Sequence, residues 1–272
     1  MEEFMKAAIV TGGASGIGKA LCRELIARNV FVILADIDEP EGKKTESEFN
    51  QSETVSRFVR LDVTDYKHVE QLIEETFQEF GRLDYMFNNA GIAMYGELYD
   101  MSIDHWKTIM DVNVWGVING TQAAYPMMKK QGFGHIVNTA SAAGLGPAPV
   151  SSAYSATKHA VVGLTTSLHY EALAHGVKIS TLCPAFVDTP IFSKATALNI
   201  NKDLMAEQMK KQKMMTPEKL AKLAIDGVHK NQPVICPMPL RKTMDFFFLI
   251  VPSAHKALMR LVCKVSRQAR VS

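Results

Sequence analysis

No uninterrupted apolar run in this sequence exceeds six residues, residues 246–251 included, whereas a membrane-spanning helix needs about 20. A helical transmembrane protein is therefore not expected. Cysteine is scarce: Cys22, Cys183, Cys236 and Cys263 are widely separated, with no CxxC and no Cys/His grouping at ligand spacing. That excludes a disulfide scaffold and a zinc motif, gives no metal-ligand set, and points to thiols in a reducing, cytoplasmic compartment. No secretory leader is expected, because MEEFMKAAIVTGG starts acidic and enters the first apolar run directly. Repeats, low-complexity tracts and linker-like segments are also missing. No Gly-Lys-Ser or Gly-Lys-Thr follows the glycine-rich turn, which removes the P-loop class.

The apolar runs that are present alternate with helical patterns. Strands are expected at 7–11, 30–35, 55–61, 84–89, 135–140, 177–183 and 233–236. Helices are expected at 16–29, 41–50, 65–80, 103–130 and 152–175, with one more opening at Thr216-Pro217, an N-cap residue followed by proline. Near-continuous apolar strands alternating with helices describe an α/β chain whose parallel sheet is covered on both faces. The expected organisation is one domain over 1–238, with a lid at 190–215, and an extension over 239–272.

TGGASGIG (11–18) lies between the first strand and the first helix. Gly12, Gly16 and Gly18 permit a tight turn and close backbone approach to a pyrophosphate at the helix N-terminus. The spacing is GxxxGxG, not the common GxGxxG. Asp36 ends the second strand, where a carboxylate can accept both ribose hydroxyls of an adenosine and would repel a 2′-phosphate. Ile37, Asp38 and Glu39 bring no arginine to that corner, so NAD(H) is expected over NADP(H). Asp62, in LDVTD, and Asn88-Asn89-Ala90-Gly91 sit at carboxyl ends of strands, where open α/β sheets bind ligands.

Tyr154 and Lys158 are four apart in a helical segment, which places a phenol and an ammonium on one face. A nearby cation favours phenolate, and the pair can exchange a proton with an alcohol or carbonyl. Such pairs are common on helix surfaces, so the spacing alone does not separate chemistry from surface pairing. Ser141, thirteen residues upstream at the end of a strand, can polarise the same oxygen.

TGGASGIG, LDVTD, NNAG, Asn113 in NVWG, Ser141, YSATK and PAFVDTP occur in one order at consistent intervals. Together they resemble the short-chain dehydrogenase/reductase family in its common single-domain form, over roughly residues 5–236. The resemblance implies a Rossmann-type doubly wound fold with about seven parallel strands, a nicotinamide cofactor, and a homodimer or homotetramer built on the helices at 103–130 and 152–175. It implies Tyr154 as general acid/base, Lys158 as the group that tunes it and holds the nicotinamide ribose, Ser141 on the reacting oxygen, and Asn113 in a water relay. It also implies cofactor contacts from Gly12, Ser15, Gly16, Ile17 and Gly18, from Asp36 on the ribose, from Asp62 and Val63 on the adenine, and from Asn89, Ala90 and Gly91. Thr189 would lie near the carboxamide, and Pro184 would be a further cofactor contact. One departure is Pro184-Ala185 where the family usually has Pro-Gly.

The loops at the substrate end are apolar. Ala143 and Leu145, Met94, and the segment carrying Ile191, Phe192, Met205 and Met209 are the expected pocket, suited to a lipophilic alcohol or ketone. A 3-oxoacyl reductase and a non-catalytic NAD-binding regulator are the competing readings. Asp36 counts against the first, and the full Ser/Tyr/Lys/Asn set against the second.

Charge is uneven. Residues 239–272 hold Arg241, Lys242, Lys256, Arg260, Lys264, Arg267 and Arg270 against Asp245 alone, so the rest of the chain is net acidic although the total is +2. Leu258, Leu261, Val262 and Val265 share one helical face, and basic residues share another. That pattern fits peripheral contact with a membrane surface, or packing on the body or a partner subunit. Nucleic acid is not expected as a partner, since no aromatic residue follows Phe248 to stack on a base.

Overall fold

In a computed structural model, which describes residues 5–204, 207, 214–238, 243, 247 and 249–270, the apolar runs form a parallel sheet. Its strands are β1 (Lys6–Thr11), β2 (Val30–Asp36), β3 (Ser56–Arg60), β4 (Tyr85–Asn88), β6 (Gly134–Thr139), β7 (Val177–Leu182) and β9 (Val234–Ile235). Their order across the sheet is β3-β2-β1-β4-β6-β7-β9. The direction of chain growth reverses between β1 and β4, which makes that crevice the topological switch point where such sheets bind ligands. This is the Rossmann-type doubly wound architecture.

Helices cover both faces. α1 (Gly16–Ile26) and the helix Pro217–His229 pack on one face through Leu21, Leu25, Leu220, Ala224 and Val228. α3 (Tyr66–Phe80) and α5 (Gly116–Gln131) cover the other through Val69, Leu72, Ile73, Ala124 and Met128. α6 (Ser152–Leu173) joins them there through Ala172. Packing outweighs capping in fixing α1. Leu21 and Leu25 are fully buried, worth about 1.5–3 kcal/mol each, against about 1 kcal/mol for a good cap. Asp65 caps α3 and Thr216 caps the helix Pro217–His229, but Ser15 makes no such bond at α1.

Two parts of the chain differ from the sequence expectation. The helix expected over 103–130 is α4 (Ile103–Met110), a π-helical turn Asp111–Trp115, and then α5. The inserted turn carries Asn113, whose side chain bonds to the loop after β4, and this tertiary bond accompanies the local widening. The second difference is a small parallel sheet of β5 (Met94–Tyr95) and β8 (Thr196–Ala197), whose two-residue strands are too short to leave a periodicity. Within the expected lid, a short helix α7 (Ile191–Lys194) precedes β8, while Met205 and Met209 lie outside the described residues.

The extension includes the helix Pro252–Arg267. Its end folds back onto the loop after β5: Arg267 and Arg270 pair with Glu97, Arg270 also with Asp100, and Arg270 lies 4.5 Å over the Tyr99 ring. Asn201 N donates to Ala269 O at 2.7 Å. No helix of the described residues is long and apolar enough to cross a membrane.

His135 of β6 is buried with Nε2 2.9 Å from Ser180 Oγ. Burial lowers its pKa to about 3, from an ordinary 6.5. Above pH 6.5 the folded and unfolded states are both neutral at this site. Below it only the unfolded chain takes up the proton, so stability should fall from pH 6.5 down to about 3. In His135→Gln this slope should diminish by about 1.4 kcal/mol per pH unit, as measured by urea unfolding across that range.

Candidate active site

The glycine turn leaves β1 with Gly12 at φ +64° and Gly16 at φ +52°, both left-handed conformations that favour glycine. A Cβ on Gly18 would lie 1.9 Å from Gly12 O, so α1 approaches the turn as closely as a glycine allows. Thr189 packs against Gly16, with its Cβ 3.2 Å from where a Gly16 Cβ would be. The first N–H groups of α1, uncapped by a side chain, open toward this turn and suit a phosphate. Ser15 and Ile17 flank them.

Asp36 pins the same turn. One carboxylate oxygen accepts from Ala14 N at 3.0 Å and the other from Asp38 N at 3.1 Å. Each keeps a lone pair for a further donor. Cations also reach this corner: Lys43 pairs with Glu39 and Lys194 with Asp38, while the exposed Arg60, the β3 register partner of Asp36, acts on Glu39 at longer range. Asp62 is exposed and accepts from Thr64, while Val63 is buried and its carbonyl accepts from Asn119.

The NNAG segment does more than turn the chain. Asn88 is the last residue of β4, and its buried amide donates to Asn138 Oδ1 at 2.8 Å and to Thr121 Oγ1 at 3.2 Å, tying β4 to β6 and α5. Asn89 N and Ala90 N both donate to Thr11 Oγ1, at 2.9 and 3.0 Å. Asn89 Nδ2 donates to Thr11 O at 3.1 Å, and Thr139 Oγ1 donates to Asn89 Oδ1 at 3.3 Å. Lys158 Nζ in turn donates to Thr139 O at 3.0 Å. The ends of β1, β4 and β6 and the first turns of α6 are thus linked by one chain of bonds.

Tyr154 and Lys158 share a face of α6, with the ammonium 5.6 Å from the phenol ring centre. Ser141, just past β6, accepts from Ala143 N at 3.1 Å, and its hydroxyl lies near enough to the Tyr154 phenol to favour the phenolate. Ser141, Tyr154 and Lys158 therefore converge. The pKa directions correct the expectation that the ammonium lowers the phenol. Burial dominates and holds Tyr154 above its usual value, with the Ser141 hydroxyl pulling the other way. Burial also brings Lys158 down to about 8.

Asn113 reaches the same place from the π turn. Its Nδ2 donates to Ile92 O and Thr157 Oγ1, and its Oδ1 accepts from Ile92 N at 2.8 Å. Both amide hydrogens are used, so one acceptor site remains for a water. A Cβ on Gly91 would be 3.1 Å from Asn113 Oδ1 and 3.4 Å from Lys158 Nζ, which puts Gly91 between the two.

The substrate-end residues fall into two groups. Met94 is buried in a cluster with Ile109 and Ala153, edged by Ile92, Met101, Trp106, Leu198 and Tyr154. Leu145 packs instead with Val117, Ala140, Val161 and Cys183, so it supports the site from behind. Ala143 follows Ser141 in a short 3-10 turn, and Ile191 and Phe192 are half-buried in α7. Trp106 and Met101, missed from sequence, carry no motif; the one signal for Trp106 is an apolar face on α4, and Met101 lies in the loop just before that helix. Tyr95 is a further phenol, half-buried, whose pKa is raised by desolvation and by the neighbouring Tyr154. Val150, before α6, has φ +60°, an unusual conformation for a β-branched residue, and its carbonyl accepts from Gly96 N at 2.9 Å. Ala185, the departure from Pro-Gly, is not among the residues with positive φ, so alanine fits there, and Pro184 O accepts from Ala142 N at 2.7 Å.

A profile of the short chain dehydrogenase family matches residues 6–199. The chain belongs to this family, and is a nucleotide-binding oxidoreductase by that membership. A Mycobacterium tuberculosis protein named as an oxidoreductase, SadH, is 33% identical over 258 residues, covering 93% of this chain and 94% of its own. An uncharacterized oxidoreductase of Staphylococcus epidermidis is 32% identical over 75% of this chain and 87% of its own. Among solved structures, a short-chain dehydrogenase/reductase from Burkholderia phymatum in complex with NAD has a TM-score of 0.81 and 32% identity over 90% of this chain and 93% of its own. ElxO with NADP bound has a TM-score of 0.75 and 28% identity over 85% of this chain and 96% of its own. A nicotinamide cofactor is common to both neighbours.

Gly18→Ala would push a methyl group into Gly12 O and to 2.8 Å from Asn89 Nδ2. The expected cost is about 1–3 kcal/mol in urea unfolding, with weakened nicotinamide-nucleotide binding in a fluorescence titration. An unchanged midpoint and affinity would show that the turn has slack the packing denies.

Proposed function

We propose that this protein is an NAD(H)-dependent oxidoreductase that interconverts a lipophilic secondary alcohol and its ketone. The convergence of Ser141, Tyr154 and Lys158 at the carboxyl ends of the central strands carries the reading. When bound, the nicotinamide supplies or accepts the hydride. This chain's part is to bind, orient and move a proton. The glycine turn and the α1 N-terminus receive the phosphates, Asp36 the adenosine ribose, and Asn89, Gly91 and Lys158 line the path toward the reacting end. In reduction, Ser141 donates a hydrogen bond to the carbonyl oxygen and Tyr154 gives it a proton; in oxidation, Tyr154 takes the hydroxyl proton. Lys158 stabilises the phenolate.

Asp36 supports NAD(H) over NADP(H). A 2′-phosphate would meet that carboxylate together with Asp38 and Glu39, with Lys43 and Lys194 already paired and the exposed Arg60 on β3 the opposing influence. The wall of Met94, Ile92, Trp106, Leu198 and Met101 beside Tyr154 supports an apolar substrate. Pairing of β5 with β8 draws the described part of the 190–215 segment over this end: Leu198 N donates to Tyr95 O at 2.8 Å and Thr196 N to Ala93 O at 3.2 Å.

Tyr154→Phe should lower turnover by at least about a thousandfold, within the range of general acid–base catalysis, and leave NADH affinity within about twofold. Substantial turnover of that variant on a panel of apolar secondary alcohols would refute the assignment. Asp36→Ala should erode discrimination against NADPH, read as the ratio of kcat/KM with the two cofactors; wild-type preference for NADPH would overturn the choice of cofactor. Reduction needs a protonated phenol and a charged Lys158. Its kcat/KM should be level below about pH 7 and fall as Lys158 deprotonates at about 8.

A further inference from the structure

The helix Pro252–Arg267 lies outside the sheet and its two covering layers, and no residue along it is buried. Leu261 is 57% and Val265 40% exposed, one turn apart on a single edge, and Leu249 and Ile250 just before the helix are also exposed. A second row, Lys256, Arg260 and Lys264, is exposed at the same four-residue spacing. Arg260 and Lys264 immediately precede Leu261 and Val265 in sequence, so the two rows stand about 100° apart around the helix. Arg267 and Arg270 are engaged by Glu97 and Asp100, which anchors the helix end to the loop after β5 and leaves the three other cations facing outward. No acidic residue occurs from 246 to the end of the sequence.

We propose that this helix docks the protein on an anionic phospholipid surface. Aliphatic side chains on one edge and cations a quarter turn away match the two depths of a bilayer interface, acyl chains and phosphate headgroups. The net acidic body and the basic extension give the protein a charge dipole that turns this helix toward such a surface. The helix lies in the interface and does not cross it. Its anchor at Glu97 and Asp100 adjoins β5, so the docked face lies beside the apolar end of the active site. The proposal stands on the helix itself and does not depend on the substrate assignment.

The experiment is co-sedimentation of the full chain with vesicles of neutral phosphatidylcholine, and with vesicles containing about 30% phosphatidylserine, which sets a negative surface potential. Binding is expected to the anionic vesicles only, with release in about 1 M salt, where the Debye length is near 3 Å. Replacing Lys256, Arg260 and Lys264 together by glutamine should lower the partition about a hundredfold, at roughly fivefold per cation. Leu261→Ser with Val265→Ser should also release it. Circular dichroism and thermal midpoints confirm folding, and the glutamine variant changes only exposed side chains if the serine pair proves unstable. Equal binding to both vesicle types, no binding, or an unaffected glutamine variant would overturn the proposal. So would vesicle-free self-association that is lost with the serine pair, because a second copy would then cover this edge.

Discussion

A chain of hydrogen bonds from Thr11 through Asn89 and Thr139 to Lys158 holds the site together. Its members come from β1, the loop after β4, the end of β6 and helix α6, which are distant in sequence. Parallel strands fix the register of the sheet but leave their carboxyl ends as separate loops. Thr11 Oγ1 collects two loop N–H groups, and Lys158 reaches back to the β6 backbone. The glycine turn at one end of this chain and the ammonium at the other are therefore set relative to each other before any ligand binds. Below the strand ends, Asn88, Asn138, Thr121 and Thr165 form a buried polar ladder that fixes β4 against β6 and their helices. Buried polar groups are costly unless partnered; both amide hydrogens of Asn88 are used, while its Oδ1 accepts from no group among the described residues.

The same enclosure sets the electrostatics. Lys158 is buried with a backbone carbonyl as its hydrogen-bond acceptor, and the cost of desolvating an ammonium brings it into the range where it gains and loses its charge near neutral pH. Tyr154 moves the other way for the same reason. Burial, rather than the Coulomb attraction of a surface Tyr/Lys pair, therefore dominates both groups: each resists its charged form, which keeps the phenol protonated and ready to donate. Asn113 takes part indirectly, by bonding both backbone groups of Ile92 and so holding the loop that passes between it and Lys158.

Most of the sheet and the parts of the site that are local in sequence could be read in advance. Apolar strands, the glycine spacing, Asp36 and the Tyr154/Lys158 pair express themselves within a few residues, and their order in the chain resembled the family to which it belongs. What could not be read depends on contacts made only in the folded state. The π turn around Asn113 accompanies a bond to Ile92, and periodicity shows nothing but a long helix there. β5 and β8 are too short for a pattern. The sequence groups Asn88 with the ligand-binding strand end, whereas its amide is buried and bonds to β6 and α5. The direction of the Tyr154 shift depends on how much water the fold removes. Leu145 shows the same limit: an apolar residue in an apolar loop can face the pocket or the core, and here it packs on Val161 and Cys183.

The substrate end is built differently from the cofactor end. It is closed by short strand pairing, by a strained Val150 and by arginines from the extension, contacts between segments far apart in sequence. The chemistry attributed to the whole is a hydride passing between nicotinamide and a carbinol carbon while Tyr154 moves the proton. Mass spectrometry of the product formed from a panel of apolar ketones, with NADH deuterated separately on each face of C4, tests that most directly. The account predicts one deuterium on the carbinol carbon, delivered from one face only. Alcohol product with no deuterium from either labelled face, or no alcohol from any ketone by a folded protein that binds NADH, would contradict it.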